Sequence, residues 1–309
     1  MTDQPVLQHL AGWAGSTGCA EALRERDVRP ELLVAAADHA IADPAVADPA
    51  AAGPADGTAS PVSTLPWGHA VTEAARIESG DSPLSAFAEQ AGVDVTVTQF
   101  DSTDSTADGD SPHSRWLDAG AETADARADS GRPLLLTGTV GAGATTTAAA
   151  LIGTLCNVEP VKVVGRGGGP TPITDEQWKH KTVAVRDLMF RTRSRRRRPV
   201  DETAVREILD EIGSPDIAFL TGLLSQSAVR RTPVVLDGVT GLAAALLADA
   251  VSPGTARWWL VPDASTEPAS APALRRLDLT PVIDRALGAP AAASGLLVLP
   301  LLSAACAVN

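Results

Sequence analysis

The sequence predicts an α/β protein: a mostly parallel, Rossmann-like sheet with helices on both faces. Three observations carry that expectation. Short apolar runs alternate with segments of helical periodicity, the pattern of repeated strand–helix–strand units. The runs are rich in Val, Leu and Ala on both faces, as strands covered on two sides require. Polar and glycine-rich segments follow the runs: Asp38, two glycine turns, Asp237 and Asp263–Glu267 all stand at carboxyl ends. Ligands of open parallel sheets bind at those ends.

The elements follow in order. Val6, Leu10, Trp13, Ala20 and Leu23 have helical spacing, broken near Gly15–Gly18, which predicts two short helices over residues 5–27. Glu31–Asp38 reads as a buried strand ending in Asp38-His39. Residues 42–61 repeat Pro and Gly and hold one bulky apolar residue, Val46. This is a loop that packs no core, suited either to a lid or to a plain insertion. Helices over 68–79 and 83–91 lead to the alternating strand Val93–Phe100. A polar loop over 101–114 and a helix near 117–129 precede a strand at 133–137. Beyond the glycine turns come helices over 175–191 and 201–212, then a strand Asp216–Leu220. A short helix, the strand Pro233–Leu236, a helix over 241–250 and the strand Arg257–Val261 complete the sheet. Residues 271–309 return to helical character. Residues 30–270 are expected to form the α/β domain, and 1–29 with 271–309 a small helical one.

The stretch from Leu134 to Lys181 carries the sharpest signal. Leu134–Leu136 discharges into Gly138-Thr-Val-Gly-Ala-Gly-Ala-Thr-Thr-Thr147 and then an alanine-rich helix; Val161–Val164, read as another strand, discharges into Gly165-Arg-Gly-Gly-Gly169. Glycine lets the backbone approach a ligand closely, and the unpaired N–H groups of a helix's first turn attract an anion. Two such turns close together point to a phosphorylated small molecule. Gly138–Thr145 has P-loop spacing, but Ala144 stands where the lysine that reaches the β- and γ-phosphates belongs, which argues against a nucleoside triphosphate. Nor is the turn G-x-G-x-x-G, because Thr146 occupies the last glycine's place.

Composition narrows the class. A chain of 309 residues, 44% apolar and 20% charged, can bury a sizeable core. A net charge of −13 disfavours a nucleic-acid or membrane-surface binder. The run Arg191-Thr-Arg-Ser-Arg-Arg-Arg-Arg198 reads as a solvated loop at a helix C-terminus. Cys19, Cys156 and Cys306 lack metal spacing and read as buried small hydrophobes of a reducing compartment. No leader, membrane span, metal cluster or cofactor is expected, and a soluble cytoplasmic protein is.

Together these motifs resemble the nicotinate-nucleotide–dimethylbenzimidazole phosphoribosyltransferase family. Gly138–Ala148 is similar to the family's G-E-M-G-I-G-N-T-T-A-A, Gly165–Gly169 to its G-R-G-T-G, and Lys181 to the lysine before I-A-V. Ala37-Asp38-His39-Ala40-Ile41 resembles G-D-H-G-V, and Val62–Pro66 with Val71-Thr72 resembles V-S-x-Y-P and V-T. Pro233–Gly238 is similar to P-V-V-x-D-G, and Ser265–Pro268 to S-A-E-P.

The resemblance implies transfer of a phosphoribosyl group from nicotinate mononucleotide to a benzimidazole nitrogen. It implies a phosphate and ribose site from Gly138, Gly141, Gly143, Thr145, Thr146, Gly165, Arg166, Gly167, Gly168 and Lys181. The acceptor-base pocket would involve Asp38, Ser63, Trp67, Ala292 and Ser294. A homodimer is implied as well. The family's base is a glutamate of G-E-G-[ST]-G, whereas here Ser294-Gly295 aligns with [ST]-G and puts Ala292 at that position; Thr139 and Ala144 are two further departures. Glu267 is the first substitute base, ahead of Asp38, His39 and Asp237, and Asp237 is also a candidate to stabilise a cationic ribosyl carbon. Two alternatives stay open: a non-catalytic relative that binds nicotinate mononucleotide or a corrinoid-pathway intermediate, and transfer to a different azole or purine.

Overall fold

The structure is a computed structural model that describes residues 5–25, 29–39, 60–100, 112–167, 171–193 and 200–308. Five strands form one parallel sheet in the order β2-β1-β3-β4-β5. They are β1 Glu31–Ala36, β2 Asp94–Gln99, β3 Leu135–Val140, β4 Val234–Leu236 and β5 Trp259–Leu260. Every residue of β1 is buried, because β2 and β3 flank it and helices cover both its faces. The alternation of side chains along each strand sorts the core into two layers. Leu33, Ala35, Leu135, Val234, Leu236 and Trp259 point to one face, whereas Leu32, Val34, Leu136, Val235 and Leu260 point to the other.

The second face is covered by α1 (Val6–Thr17), α2 (Cys19–Glu25), α3 (His69–Ser79), α4 (Pro83–Ala91) and α13 (Ser294–Val308). The N- and C-terminal segments meet there: Leu10, Ala14, Leu299 and Leu302 share one buried cluster with β1 and β3, and Arg24 Nε donates to the Cys306 carbonyl at 2.5 Å.

On the first face lie α5 (Pro112–Asp129), α6 (Ala144–Cys156), the one-turn α7 (Pro160–Val163), α8 (Asp175–Thr192), α9 (Glu202–Ile212), α10 (Pro215–Val229), α11 (Gly238–Val251) and α12 (Ser270–Leu277). The closest pair is α5 and α10, which meet backbone to backbone. A Cβ on Gly120 would lie 2.0 Å from the Phe219 carbonyl oxygen, and one on Gly222 would lie 1.8 Å from that of Leu117.

Two expected strands are helices. Asp216–Leu220 lies within α10, whose residues from Pro215 to Leu224 are buried on every side. Burial all round erases helical periodicity, so the apolar run imitated a strand. Val161–Val163 falls in α7, started by Pro160 in the first helical position, and only Val164 is extended. Gly138 and Thr139 belong to β3 and not to the turn. The final strand is shorter than expected, since Thr255–Trp258 forms a 3₁₀ turn ahead of β5. Most of the 42–61 and 101–114 loops, and residues 194–198 of the arginine run, lie outside the described residues. Among the described residues no helix is long and apolar enough to cross a membrane.

Candidate active site

In a sheet of order 2-1-3-4-5 the crevice opens between the carboxyl ends of the first and third strands, where the winding direction changes. Here those ends are tied together by Asp38. Its buried carboxylate accepts the N–H groups of Gly68 (2.9 Å), Ala70 (3.2 Å) and Ala142 (2.7 Å). One side chain thus holds the start of α3 and the turn after β3. Gly141 allows the turn to come this close: its φ is +148°, and a Cβ would lie 1.8 Å from the Ala37 carbonyl oxygen. Gly143, at φ +87°, then opens α6.

His39 continues from Asp38 into the core and is 1% exposed. Its Nε2 lies 3.2 Å from Asp216 Oδ2 and its Nδ1 3.1 Å from Thr147 Oγ1. Both ring nitrogens are engaged, so His39 locks β1 to α6 and α10 and leaves no ring nitrogen for a substrate proton. Burial acts to raise the Asp216 pKa, but His39, the Ser214 hydroxyl and the Ile217 N–H outweigh it and hold the carboxyl below the usual range. Sequence reasoning missed Asp216 by placing it on a strand, although Ser214-Pro215-Asp216 is a helix-start signal.

The glycine turns converge on Lys181. This residue is 0% exposed, and its Nζ donates to Thr145 Oγ1 at 2.9 Å and lies 3.8 Å from Glu267 Oε2. Burial pushes the lysine's pKa down, while the Glu267 carboxylate opposes the shift. Glu267 is 4% exposed, and its Oε1 accepts the Gly167 N–H at 2.9 Å. Thr146 Oγ1 is buried without a hydrogen-bond partner among the described residues. Arg166 turns outward instead, pairing with Asp175 at 2.7 Å, because its side chain is exposed where the turn meets α8. Gly168 lies outside the described residues.

The helix carrying Lys181 is anchored through its first turn. Thr174 and Gln177 form a reciprocal capping box at its start. Gln177 Nε2 also donates to the carbonyls of Ser60 and Ser63, each at 3.0 Å, which draws the 60–67 segment against α8. Val62 of that segment packs on Ala142. Ser63 Oγ is taken up by the Leu65 N–H at 3.0 Å, and Trp67 is half-buried.

At the end of β4, half-buried Asp237 caps the start of α13, accepting the Ser294 N–H at 2.7 Å. Burial and the neighbouring Asp263 carboxylate raise its pKa to about 7, against the pull of the Ser294 and Gly295 N–H groups. Ala292 lies just before, at φ +66° and 5% exposed. A Cβ on Gly138 would sit 2.0 Å from the Ala292 methyl, so glycine in β3 makes room for this segment. Asp237, Ala292 and Ser294 are therefore neighbours, while Lys181, Glu267, Thr145 and Gly167 form a second group. His39 and Arg166 join neither.

These features define a doubly wound α/β protein whose buried charged groups gather at the carboxyl edge of the sheet. The chain belongs to the phosphoribosyltransferase family, whose family model matches residues 6–309. It is 37% identical over 295 residues to nicotinate-nucleotide–dimethylbenzimidazole phosphoribosyltransferase of Corynebacterium efficiens, covering 90% of this chain and 73% of that one. To the enzyme of the same name from Mycobacterium ulcerans it is 36% identical, covering 97% and 83%. The match to the Corynebacterium glutamicum (strain ATCC 13032) relative, 45% identical, spans about half of that protein, 51%. The crystal structure of CobT from Thermus thermophilus superposes with a TM-score of 0.73 at 26% identity, covering 99% of this chain and 92% of that one.

Proposed function

We propose that the protein transfers the phosphoribosyl group of nicotinate mononucleotide to 5,6-dimethylbenzimidazole or a related base, giving α-ribazole 5′-phosphate for the lower ligand of cobalamin. The observation that carries this reading is the buried Lys181, with a single hydrogen-bond partner among the described residues, beside glycine turns at the edge of the sheet. An ammonium has three donors, so Lys181 has donors to spare for a phosphate. In the transfer, the bond from the ribosyl carbon to the nicotinate nitrogen breaks and one to the benzimidazole nitrogen forms. The acceptor's other N–H proton must leave, and Asp237 is the carboxyl best tuned to take it, since a base with a pKa near 7 is half-ionised at neutral pH. Before protonation the same carboxylate stabilises positive charge on the ribosyl carbon.

A second reading rests on Ala292. A methyl group stands where the resemblance expects the catalytic glutamate, and its burial against Gly138 supports a relative that binds nicotinate mononucleotide without turning it over. Incubation of the purified protein with nicotinate mononucleotide and 5,6-dimethylbenzimidazole decides between them by mass detection of product. The expected result is α-ribazole phosphate with equimolar nicotinate. Saturable binding without product would favour the second reading, and product from another azole or a purine would reassign the acceptor.

A further inference from the structure

Glu267 is built into the fold in a way that suits a task other than proton transfer. Its Oε1 is occupied by the Gly167 N–H at 2.9 Å, and its Oε2 faces Lys181 Nζ at 3.8 Å. The carboxylate reaches that place because residue 165 has no side chain: a Cβ there would lie 2.3 Å from Oε2 and 2.6 Å from the carboxyl carbon. Lys181 and Glu267 are 0% and 4% exposed, so water screens neither. Glu267 is the carboxylate within ion-pair distance of Lys181 among the described residues.

Among the described residues, the other elements packed on α8 offer the lysine no such partner. From α6 comes Cys156, whose thiol lies against the Pro272 carbonyl; from α7 comes exposed Lys162, paired with Glu159. From α9 come Glu202, Arg206, Glu207, Asp210 and Glu211, with Arg206 bound to Glu202 and Asp118. Residues 60–67 hold no titratable side chain, and Asp175, Glu176, Lys179, His180, Arg186, Asp187 and Arg191 of α8 itself are exposed.

We propose that Glu267 is a positioning residue, which keeps Lys181 charged inside the fold and pins the Gly165–Gly167 turn beside it, so that lysine and turn together receive the phosphate of a phosphorylated sugar. A buried ammonium without a counter-charge gives up its proton readily. Glu267 prevents this while the site is empty, and at 3.8 Å it leaves the donors that Thr145 does not occupy free for a ligand. The incoming phosphate then supplies charge of its own. This inference rests on the reading that Lys181 holds a phosphate, and the test separates the two.

Binding of ribose 5-phosphate to the full chain is measured by calorimetry from pH 7 to 10, above the second ionisation of the phosphate near pH 6. Glu267→Gln is expected to move the pH at which affinity falls downward by about one unit, so that near the wild-type midpoint it binds roughly tenfold more weakly. Gly165→Ala displaces the carboxylate without altering it and is expected to act in the same direction, which keeps the test decisive if Glu267→Gln fails to fold. A wild-type pH midpoint in both variants would overturn the positioning role. So would a loss of transfer rate in Glu267→Gln with binding unmoved, which would make Glu267 a base. Lys181→Met tests the underlying reading by itself: loss of binding at every pH supports it, and wild-type affinity removes both claims.

Discussion

Replacing Asp237 with asparagine is expected to lower turnover by about 10²- to 10⁴-fold, the usual contribution of a general base. The wild-type rate is expected to rise with pH through about 7, as Asp237 loses its proton, and then level off. Asparagine cannot ionise, so the residual rate of the variant should lack that limb. Asp263→Asn supplies the companion test, because Asp263 helps to raise the Asp237 pKa and its removal should move the limb to lower pH. Stability should shift with the opposite sign. Asp237 holds its proton more tightly in the folded protein than in the unfolded chain, where the value is near 3.8. Folding therefore suffers no cost from this group below pH 4, a growing cost between 4 and 7, and a constant cost, on the order of a few kcal/mol, above 7. The asparagine oxygen can still accept the Ser294 N–H. Asp237→Asn should thus melt like wild type at pH 4 and higher than wild type at pH 8. Equal melting at both values, or an unchanged pH–rate profile, would remove Asp237 from the role.

Gly222→Ala should be among the most destabilising single-methyl changes in the protein. The new Cβ would fall 1.8 Å from the Leu117 carbonyl oxygen and 2.8 Å from its carbon, both rigid backbone atoms. Helices α5 and α10 would have to separate, at a cost of about 3 kcal/mol or more. The separation should also disturb Asp216 at the start of α10 and with it the His39 contact. Gly15→Ala in α1 is the matched control, since a Cβ there meets nothing within 4 Å. That change should stabilise by roughly 0.5–1 kcal/mol through helix propensity. Urea unfolding of both variants checks the pair, and a wild-type midpoint for Gly222→Ala would contradict the backbone contact.

The fold was legible where burial on two sides left a short, continuous apolar run between glycine or proline signals, as in Glu31–Ala36 and Val234–Leu236. The same rule failed at Asp216–Leu220, because a helix buried all round presents the same run. Residue types at the site were legible too, since Asp38, Lys181, Asp237 and Glu267 follow strands or glycine turns. Their partners were not. Gly167 and Glu267 lie 100 residues apart in the chain, and the value of the missing side chain at Gly165 emerges only when the carboxylate is seen filling its place. The pairing of His39 with Asp216, 177 residues distant, was hidden for the same reason. Family motifs name the positions of a site, but contacts between distant segments decide which residues bind and which merely brace.

The three amides gathered by Asp38 have a consequence for how the site opens. Gly68, Ala70 and Ala142 belong to segments far apart in sequence, yet they share one acceptor at the junction of two strand ends. In hydrogen exchange with deuterated water their protection should rise and fall together, as one cooperative unit. The two walls of the crevice would then breathe as a single shutter, so that a fluctuation freeing the loop after β3 also frees the helix across from it.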